Sequence, residues 1–153
     1  MAKQIAQQTI SASLEDYLEC IYNIIQEKQG VKAIEISRRL GVGRSSVTEA
    51  LKVLAGKNLV NYGRYDVLSL TPEGEKVAQD IIFRHDTLKE FFNKILGLSE
   101  KNADQEACKV EHVLDKETVR HFTSFIEYHK KNINQDALYL ENYLNFHKEF
   151  FEE

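Results

Sequence analysis

Cys108-Lys109-Val110-Glu111-His112 places a thiol, a carboxylate and an imidazole at positions i, i+3 and i+4. In a helix, side chains at that spacing leave one face within about 6 Å of one another. Thiolate, carboxylate and imidazole together suit a borderline divalent transition ion such as Fe(II), Mn(II), Co(II) or Zn(II), rather than an ion held by oxygen alone. One helical turn rarely completes a coordination sphere, so further ligands must come from elsewhere in the chain. The same triplet also fits a small core cysteine beside a solvated Glu-His pair. Two other positions carry chemistry of this kind. Asp16 and Glu19 lie at i, i+3 and share a helix face, an arrangement that equally serves the helix dipole. His85 is a single histidine within a long apolar-periodic segment, where a structural role is as natural as ligation.

The elements that must position these residues belong to a soluble, mainly helical protein. The chain has 153 residues, 42% hydrophobic and 29% charged, room for one well-buried domain or two small ones. No apolar run is long enough to span a membrane, and residues 1–8 lack a hydrophobic signal core. The expectation is a cytoplasmic protein with no membrane contact and with Cys20 and Cys108 as free thiols. One proline and seven glycines point to long helices. The net charge of -4 argues against a protein that coats nucleic acid non-specifically, but it hides an asymmetry. Residues 31–65 hold seven Lys/Arg against two acids, a local excess of +5.

In chain order, residues 1–11 are polar and aperiodic. Ser13 precedes an amphipathic run through Leu14, Leu18, Ile21, Ile24 and Ile25, with Asp16 as the partner in an approximate capping box, so a helix is expected from about Leu14 to Lys28. Ala33–Leu40 reads as a short helix that breaks at Gly41-Val42-Gly43, and helical periodicity resumes at Arg44 through Val47, Leu51 and Leu54. Two helices joined by a Gly-containing turn, the second opening with basic and hydroxyl residues, form a helix-turn-helix. Its second helix presents Arg44, Ser45, Ser46, Thr48, Glu49 and Lys52 to a major groove, with Arg39 nearby. Leu59–Tyr62 and Val67–Leu70 alternate about a Gly63-Arg64-Tyr65-Asp66 turn, a hairpin that serves as a wing with Arg64 and Tyr65 as phosphate contacts. Thr71-Pro72 starts a helix expected to run to about Leu96, where Gly97 closes it. A helix from Ala103 to Leu114 carries the thiol-carboxylate-imidazole triplet, Asp115 caps the next one, and residues 134–153 form a last amphipathic helix. The domain reading is a winged helix-turn-helix over 1–72 and a helical metal-binding and dimerisation part over 73–153.

Ser13-Leu14-Glu15-Asp16-Tyr17-Leu18-Glu19, the winged helix-turn-helix, Arg84-His85 and Glu106–Val113 occur in this order. Together they resemble the diphtheria-toxin-repressor/manganese-transport-regulator family of metal-dependent transcriptional repressors, over about residues 12–130. The resemblance implies a homodimer that binds a double-stranded DNA operator when loaded with metal, two ions per subunit in that family. It implies Asp16, Glu19, His85, Cys108, Glu111 and His112 as ligands, with occupancy that weakens at acid pH because binding releases protons. Members of the iron type carry Met where Asp16 stands and Cys where Cys108 stands, whereas manganese-type members carry Asp at the first position and some carry Glu at the second. This mixture implies Mn(II) or Fe(II), with Zn(II) or Co(II) able to substitute in vitro. Glu49 stands where the iron-type recognition helix has Gln, so the operator sequence does not carry over. The length leaves no room for the SH3-like third domain of the iron-type proteins.

Two readings from other classes compete. A metalloenzyme would use the Cys108/Glu111/His112 site to activate water, but it requires a general base and a substrate pocket for which no constellation exists, and it leaves the basic winged motif without a purpose. A metal-independent winged regulator would sense a small organic ligand instead, with Cys108 as a core residue.

Overall fold

The computed structural model describes residues 10–28, 30–63, 67–133 and 138–151. Seven α-helices and one two-stranded sheet make up these residues: α1 Ala12–Glu27, α2 Ala33–Leu40, α3 Arg44–Gly56, β1 Val60–Asn61, β2 Ser69–Leu70, α4 Pro72–Glu90, α5 Glu100–Val110, α6 Lys116–Ile133 and α7 Tyr139–Phe151. They divide into two compact units, Met1–Ile82 and Phe83–Glu153, with the division inside α4. Among the described residues no helix is long and apolar enough to cross a membrane.

The first unit is built on three short helices and a wing. α1 begins two residues earlier than the Ser13 pattern suggests, because Ser11 is the cap and its Oγ accepts the Leu14 N–H. Leu18, Ile21 and Ile24 on its inner face are fully buried against Ile36 of α2 and Val47, Leu51 and Leu54 of α3. Between α2 and α3 the chain must reverse within three residues, and Gly41 does so with φ +66 at the α2 C-cap. Ser37 Oγ donates to the Val42 carbonyl at 2.6 Å and tightens the same turn. The strands pair antiparallel with Val60 opposite Leu70 and Asn61 opposite Ser69. The expected tip residues Arg64 and Tyr65 lie outside the described residues.

Thr71 sews the wing to α4. Its N–H donates to the Leu59 carbonyl at 3.0 Å, its Oγ1 donates to the Asn58 carbonyl at 2.7 Å, and the same oxygen accepts the Gly74 N–H at 3.0 Å. Pro72 follows as the first helical residue, where a missing N–H costs nothing. This close approach also explains Gly74, since a Cβ there would lie 1.8 Å from the Leu59 carbonyl oxygen. Ala78 and Ile81, on the first half of α4, complete the core of this unit.

In the second unit, α4 runs into a π-helical turn over Phe91–Ile95, so the single helix expected to Leu96 changes its winding before its end. The Leu96 N–H reaches back to the Phe91 carbonyl, and Asn93 Nδ2 donates to the Leu98 carbonyl at 2.8 Å. The wider turn carries Phe91 edge-on against Phe122 of α6, with ring centroids 4.7 Å apart. α5 starts at Glu100, three residues before the expected Ala103, because Ser99 caps it through the Asn102 N–H. It ends at Val110 rather than Leu114, which places Glu111 and His112 just past its last helical residue. α6 is capped as expected, with the Thr118 N–H donating to Asp115 Oδ1 at 2.7 Å. The hydrogen bond from that N–H holds the Asp115 carboxyl below its usual range. α7 packs Leu140 and Leu144 over Gly97, whose φ of +71 only glycine adopts readily.

The fit at Gly74 yields a paired prediction. Gly74→Ala should destabilise the protein by about 3 kcal/mol, the upper part of the overpacking range, because the atom it meets is backbone. Gly56→Ala, with no atom within 4 Å of the added Cβ, should change stability by no more than about 1 kcal/mol. Urea unfolding of the two variants and the parent measures both.

Candidate functional site

Glu111 is the point on which the second unit's polar chemistry converges. It occupies the C-cap of α5 with right-handed helical angles, φ -58 and ψ -31, and its N–H still donates to the Ala107 carbonyl at 3.0 Å. That last bond aims its side chain inward, and Glu111 is 0% exposed. Carboxylates are almost never fully buried without compensation. The compensation comes from histidines: His85 Nδ1 lies 2.6 Å from Oε2, and His112 Nε2 lies 3.2 Å from Oε1. Oε1 accepts no hydrogen bond from the described residues. The main chain at the same residue is clamped, since Arg84 Nη1 donates to the Glu111 carbonyl at 2.7 Å. Arg84 and His85 are consecutive on α4, so one turn of that helix grips both the backbone and the side chain of Glu111.

An exposed cluster adjoins this buried one. His85 Nε2 points to Asp104 Oδ1 on α5 at 3.2 Å, and Lys89, one turn along α4, places Nζ 2.8 Å from the same oxygen. The Lys89 ammonium, with a smaller contribution from His85, holds the Asp104 carboxyl below its usual range, and Asp104 in turn raises the Lys89 pKa. Asp104 and Lys89 are absent from the sequence-based candidate set. The available signal was the i, i+4 pair His85/Lys89 facing acids one turn apart at Glu100 and Asp104, but which helix faces which is a tertiary fact.

The remaining expected ligands are placed as follows. Cys108 lies in the last turn of α5 and is exposed. Cys20, on α1, is buried, and burial pushes its thiol up to about 11, so it stays protonated and inert. Asp16 and Glu19 sit one turn apart on α1, in the first unit, each half-buried. Within the second unit, His85, Glu111 and His112 come together directly. A buried carboxylate oxygen without a hydrogen bond, flanked by two imidazole nitrogens, is a donor set that fits a divalent transition ion.

The DNA-facing candidates divide in the same way. Val47, Ala50, Leu51 and Leu54 bury one face of α3, and this leaves Arg44, Ser45, Ser46, Glu49 and Lys52 exposed on the other, with Thr48 half-buried. Lys52 is tied to Glu49 at 2.8 Å, and Thr48 Oγ1 donates back to the Arg44 carbonyl at 3.0 Å. Arg39 is engaged elsewhere: it donates to Glu27 Oε1 of α1 at 2.8 Å and to Glu35 Oε1 at 3.2 Å. Arg39 holds Glu27 below the ordinary carboxylate range, and Lys28, with Arg39 second, does the same to Glu35. This places the Arg39 guanidinium in the α1–α2 clamp.

Comparison with known proteins bears on both surfaces. Residues 9–68 match a family model described as the iron-dependent repressor N-terminal DNA-binding domain, and residues 71–147 match the model of the iron-dependent repressor metal-binding and dimerisation domain. An uncharacterised HTH-type transcriptional regulator of Methanocaldococcus jannaschii is 39% identical over 125 residues, which cover 81% of this chain and 100% of the relative. The HTH-type transcriptional regulator MntR of Geobacillus kaustophilus is 32% identical over 120 residues, 78% of this chain and 84% of the relative. Among solved structures, a manganese-dependent transcriptional repressor in complex with manganese superposes with a TM-score of 0.69 at 26% identity, covering 75% of this chain and 53% of that one. The chain therefore spans about half the length of that solved structure.

The Arg84 clamp is testable without metal. Arg84→Ala removes a charge-assisted bond to a buried carbonyl and should cost about 2 to 3 kcal/mol of stability. Urea denaturation in the presence of chelator reads this directly; an unchanged midpoint would show that Glu111 is held by its side chain alone.

Proposed function

The chain belongs to the iron-dependent repressor family, and we propose that it represses transcription by binding a double-stranded operator as a cytoplasmic homodimer when charged with Mn(II) or Fe(II). The observation that carries this reading is the fully buried Glu111 carboxylate between His85 and His112. Burying this carboxylate is costly in the metal-free protein, and a divalent ion held by Glu111 and the two imidazoles would offset that cost. His85, Glu111 and His112 hold the ion. Cys108 reaches it from the last turn of α5 as the one exposed thiol among the two cysteines. Asp16 and Glu19 complete the set; their support is the sequence pattern and their shared face on α1. Because α1 also packs against α2 and α3, ligands on α1 make the state of the helix-turn-helix depend on metal.

On the DNA side, Arg44, Ser45 and Ser46 open α3 where N–H groups and the helix dipole favour phosphate, and Thr48, Glu49 and Lys52 lie one to two turns on, at the depth of base edges. Arg64 and Tyr65 are assigned to the wing tip on sequence grounds. The dimer surface is assigned to the aromatic side of α6, where an open groove of about 690 Å³ is lined by Phe91, Phe122, Phe125 and Tyr128. Phe125 and Tyr128 are 47% and 66% exposed, large apolar areas for a subunit to leave in water.

Four measurements test the reading. Operator-fragment binding followed by anisotropy should appear with Mn(II) or Fe(II) at buffered free concentrations and vanish on chelation; equal binding in both states would leave a metal-independent regulator. Glu111→Gln, which keeps the shape and the acceptor oxygen, should leave metal-free stability within about 1 kcal/mol of the parent while lowering metal affinity by more than the roughly 100-fold cost of losing an outer-shell partner. Arg44→Ala should instead weaken operator binding with metal affinity unchanged. Alkylation separates the thiols: maleimide should label Cys108 and spare Cys20, and saturating metal should protect Cys108, whereas labelling unaffected by metal would remove Cys108 from the ligand set.

A further inference from the structure

On the exposed side of α3 one residue is out of keeping with a surface that meets a polyanion. Glu49 is the sole acid on that helix, and with Glu35 it makes up the two acids of the basic segment 31–65. Glu35 is engaged in the α1–α2 clamp, where it meets Lys28 and Arg39. Glu49 instead lies one turn after Ser45, on the side of α3 away from the buried Val47, Leu51 and Leu54, and its side chain is 69% exposed. Lys52, one turn further on and 60% exposed, places Nζ 2.8 Å from Glu49 Oε1. An exposed ion pair of this kind contributes little to stability, and a carboxylate near phosphates is repelled by them. Neither packing nor attraction to the DNA backbone therefore accounts for an acid at this position.

We propose that Glu49 is a specificity-determining residue that selects a C·G base pair in each half-site, its carboxylate accepting from the cytosine N4 amino group while Lys52, held beside it, donates to the paired guanine. The proposal rests on the operator-binding reading above and names a base pair that this operator must contain. An ionised carboxylate only accepts hydrogen bonds, and in the major groove the donors are cytosine N4 and adenine N6. The neighbouring atoms on the base-pair edge decide between these two. In a C·G pair the amino donor has acceptors on one side, guanine O6 and then N7, and the Lys52 ammonium has N–H donors for them beyond the one that meets Glu49. In an A·T pair the N6 donor stands between two acceptors, adenine N7 and thymine O4. One ammonium on one side of the carboxylate meets a single one of these, and the other acceptor faces the carboxylate and repels it. An acceptor with a donor at its side is thus the complement of the C·G edge. Lys52 also offsets the charge of Glu49 among the phosphates, so the carboxylate is tolerated on the matching pair and is left desolvated and unpaired on any other, which is how a site rejects the wrong partner.

The test is selection from a library of duplexes with a randomised central stretch by the full chain in Mn(II) or Fe(II), followed by anisotropy on the selected duplex and its single-pair variants. The parent should select a half-site with a C·G pair whose replacement weakens binding by about 5- to 100-fold. In Glu49→Ala the preference at that pair should fall below about twofold while the other positions keep theirs, and affinity for unrelated duplexes should hold or rise, since a negative charge leaves the surface. Glu49→Gln, whose amide matches the N6/N7 edge of adenine, should move the same position to A·T. Lys52→Ala should lose the C·G preference and also bind every duplex more weakly. A parent half-site with no required C·G pair would overturn the proposal while leaving the operator-binding reading intact, and so would Glu49→Ala or Lys52→Ala with the parent's preference at every position. No selected sequence in the parent would overturn the operator-binding reading itself. Both side chains are exposed, so these substitutions remove no packing from α3.

Discussion

A carboxylate excluded from water must find positive charge close at hand, and much of the second unit can be read as the answer Glu111 requires. The residue is placed by the end of α5, where the last helical hydrogen bond points its side chain inward. Arg84 fixes its carbonyl and His85 its carboxylate, from neighbouring positions on α4. A purely structural site of this size would be better filled by apolar residues. The cost is intelligible if the protein is built to be completed by an ion, and it locates the response to metal at the residue least able to tolerate its absence.

α4 is the element that the two units share along the chain. Its first half contributes Ala78 and Ile81 to the core of the DNA-binding unit, and Thr71 at its start is bonded to the loop that follows α3. Its second half carries Arg84, His85, Leu88 and Lys89. No glycine or proline interrupts the helix between these halves, so its backbone hydrogen bonds run from one set of contacts to the other. The π-helical turn that ends it has a separate effect, rotating the aromatic residues from Phe91 onward toward α6.

Local signals in the sequence were legible where structure is decided locally. The α2–α3 break at Gly41, the Thr71-Pro72 start and the Asp115 cap are each set by one or two residues with a definite backbone preference, and all three stand as read. Where two serines compete, the reading slipped: Ser11 rather than Ser13 caps α1, and Ser99 opens α5 ahead of the apolar period that begins at Ala103. The same period suggested a helix through Leu114, whereas the helix ends at Val110 with Glu111 as its C-cap. Among the site residues, the types and spacing of Glu111 and His112 were visible, but the burial of Glu111 was not, because it depends on Arg84 and His85 arriving from a helix more than twenty residues away. For the same reason the ion pairs of Arg39 were not visible, because its partners, Glu27 and Glu35, lie on α1 and α2.

The donor set also bears on which ion is favoured. Imidazole and carboxylate dominate the buried part of the site, and they accept Mn(II) and Fe(II) without strong preference. In the proposed ligand set the single soft donor, Cys108, is exposed, so water would compete for its place on the ion. A thiolate held inside the pocket would shift the balance toward Zn(II), Co(II) and Fe(II); one at the edge adds affinity without dictating the choice. Selectivity then rests on how well the buried carboxylate and its two imidazoles accommodate the ion's preferred number and arrangement of ligands.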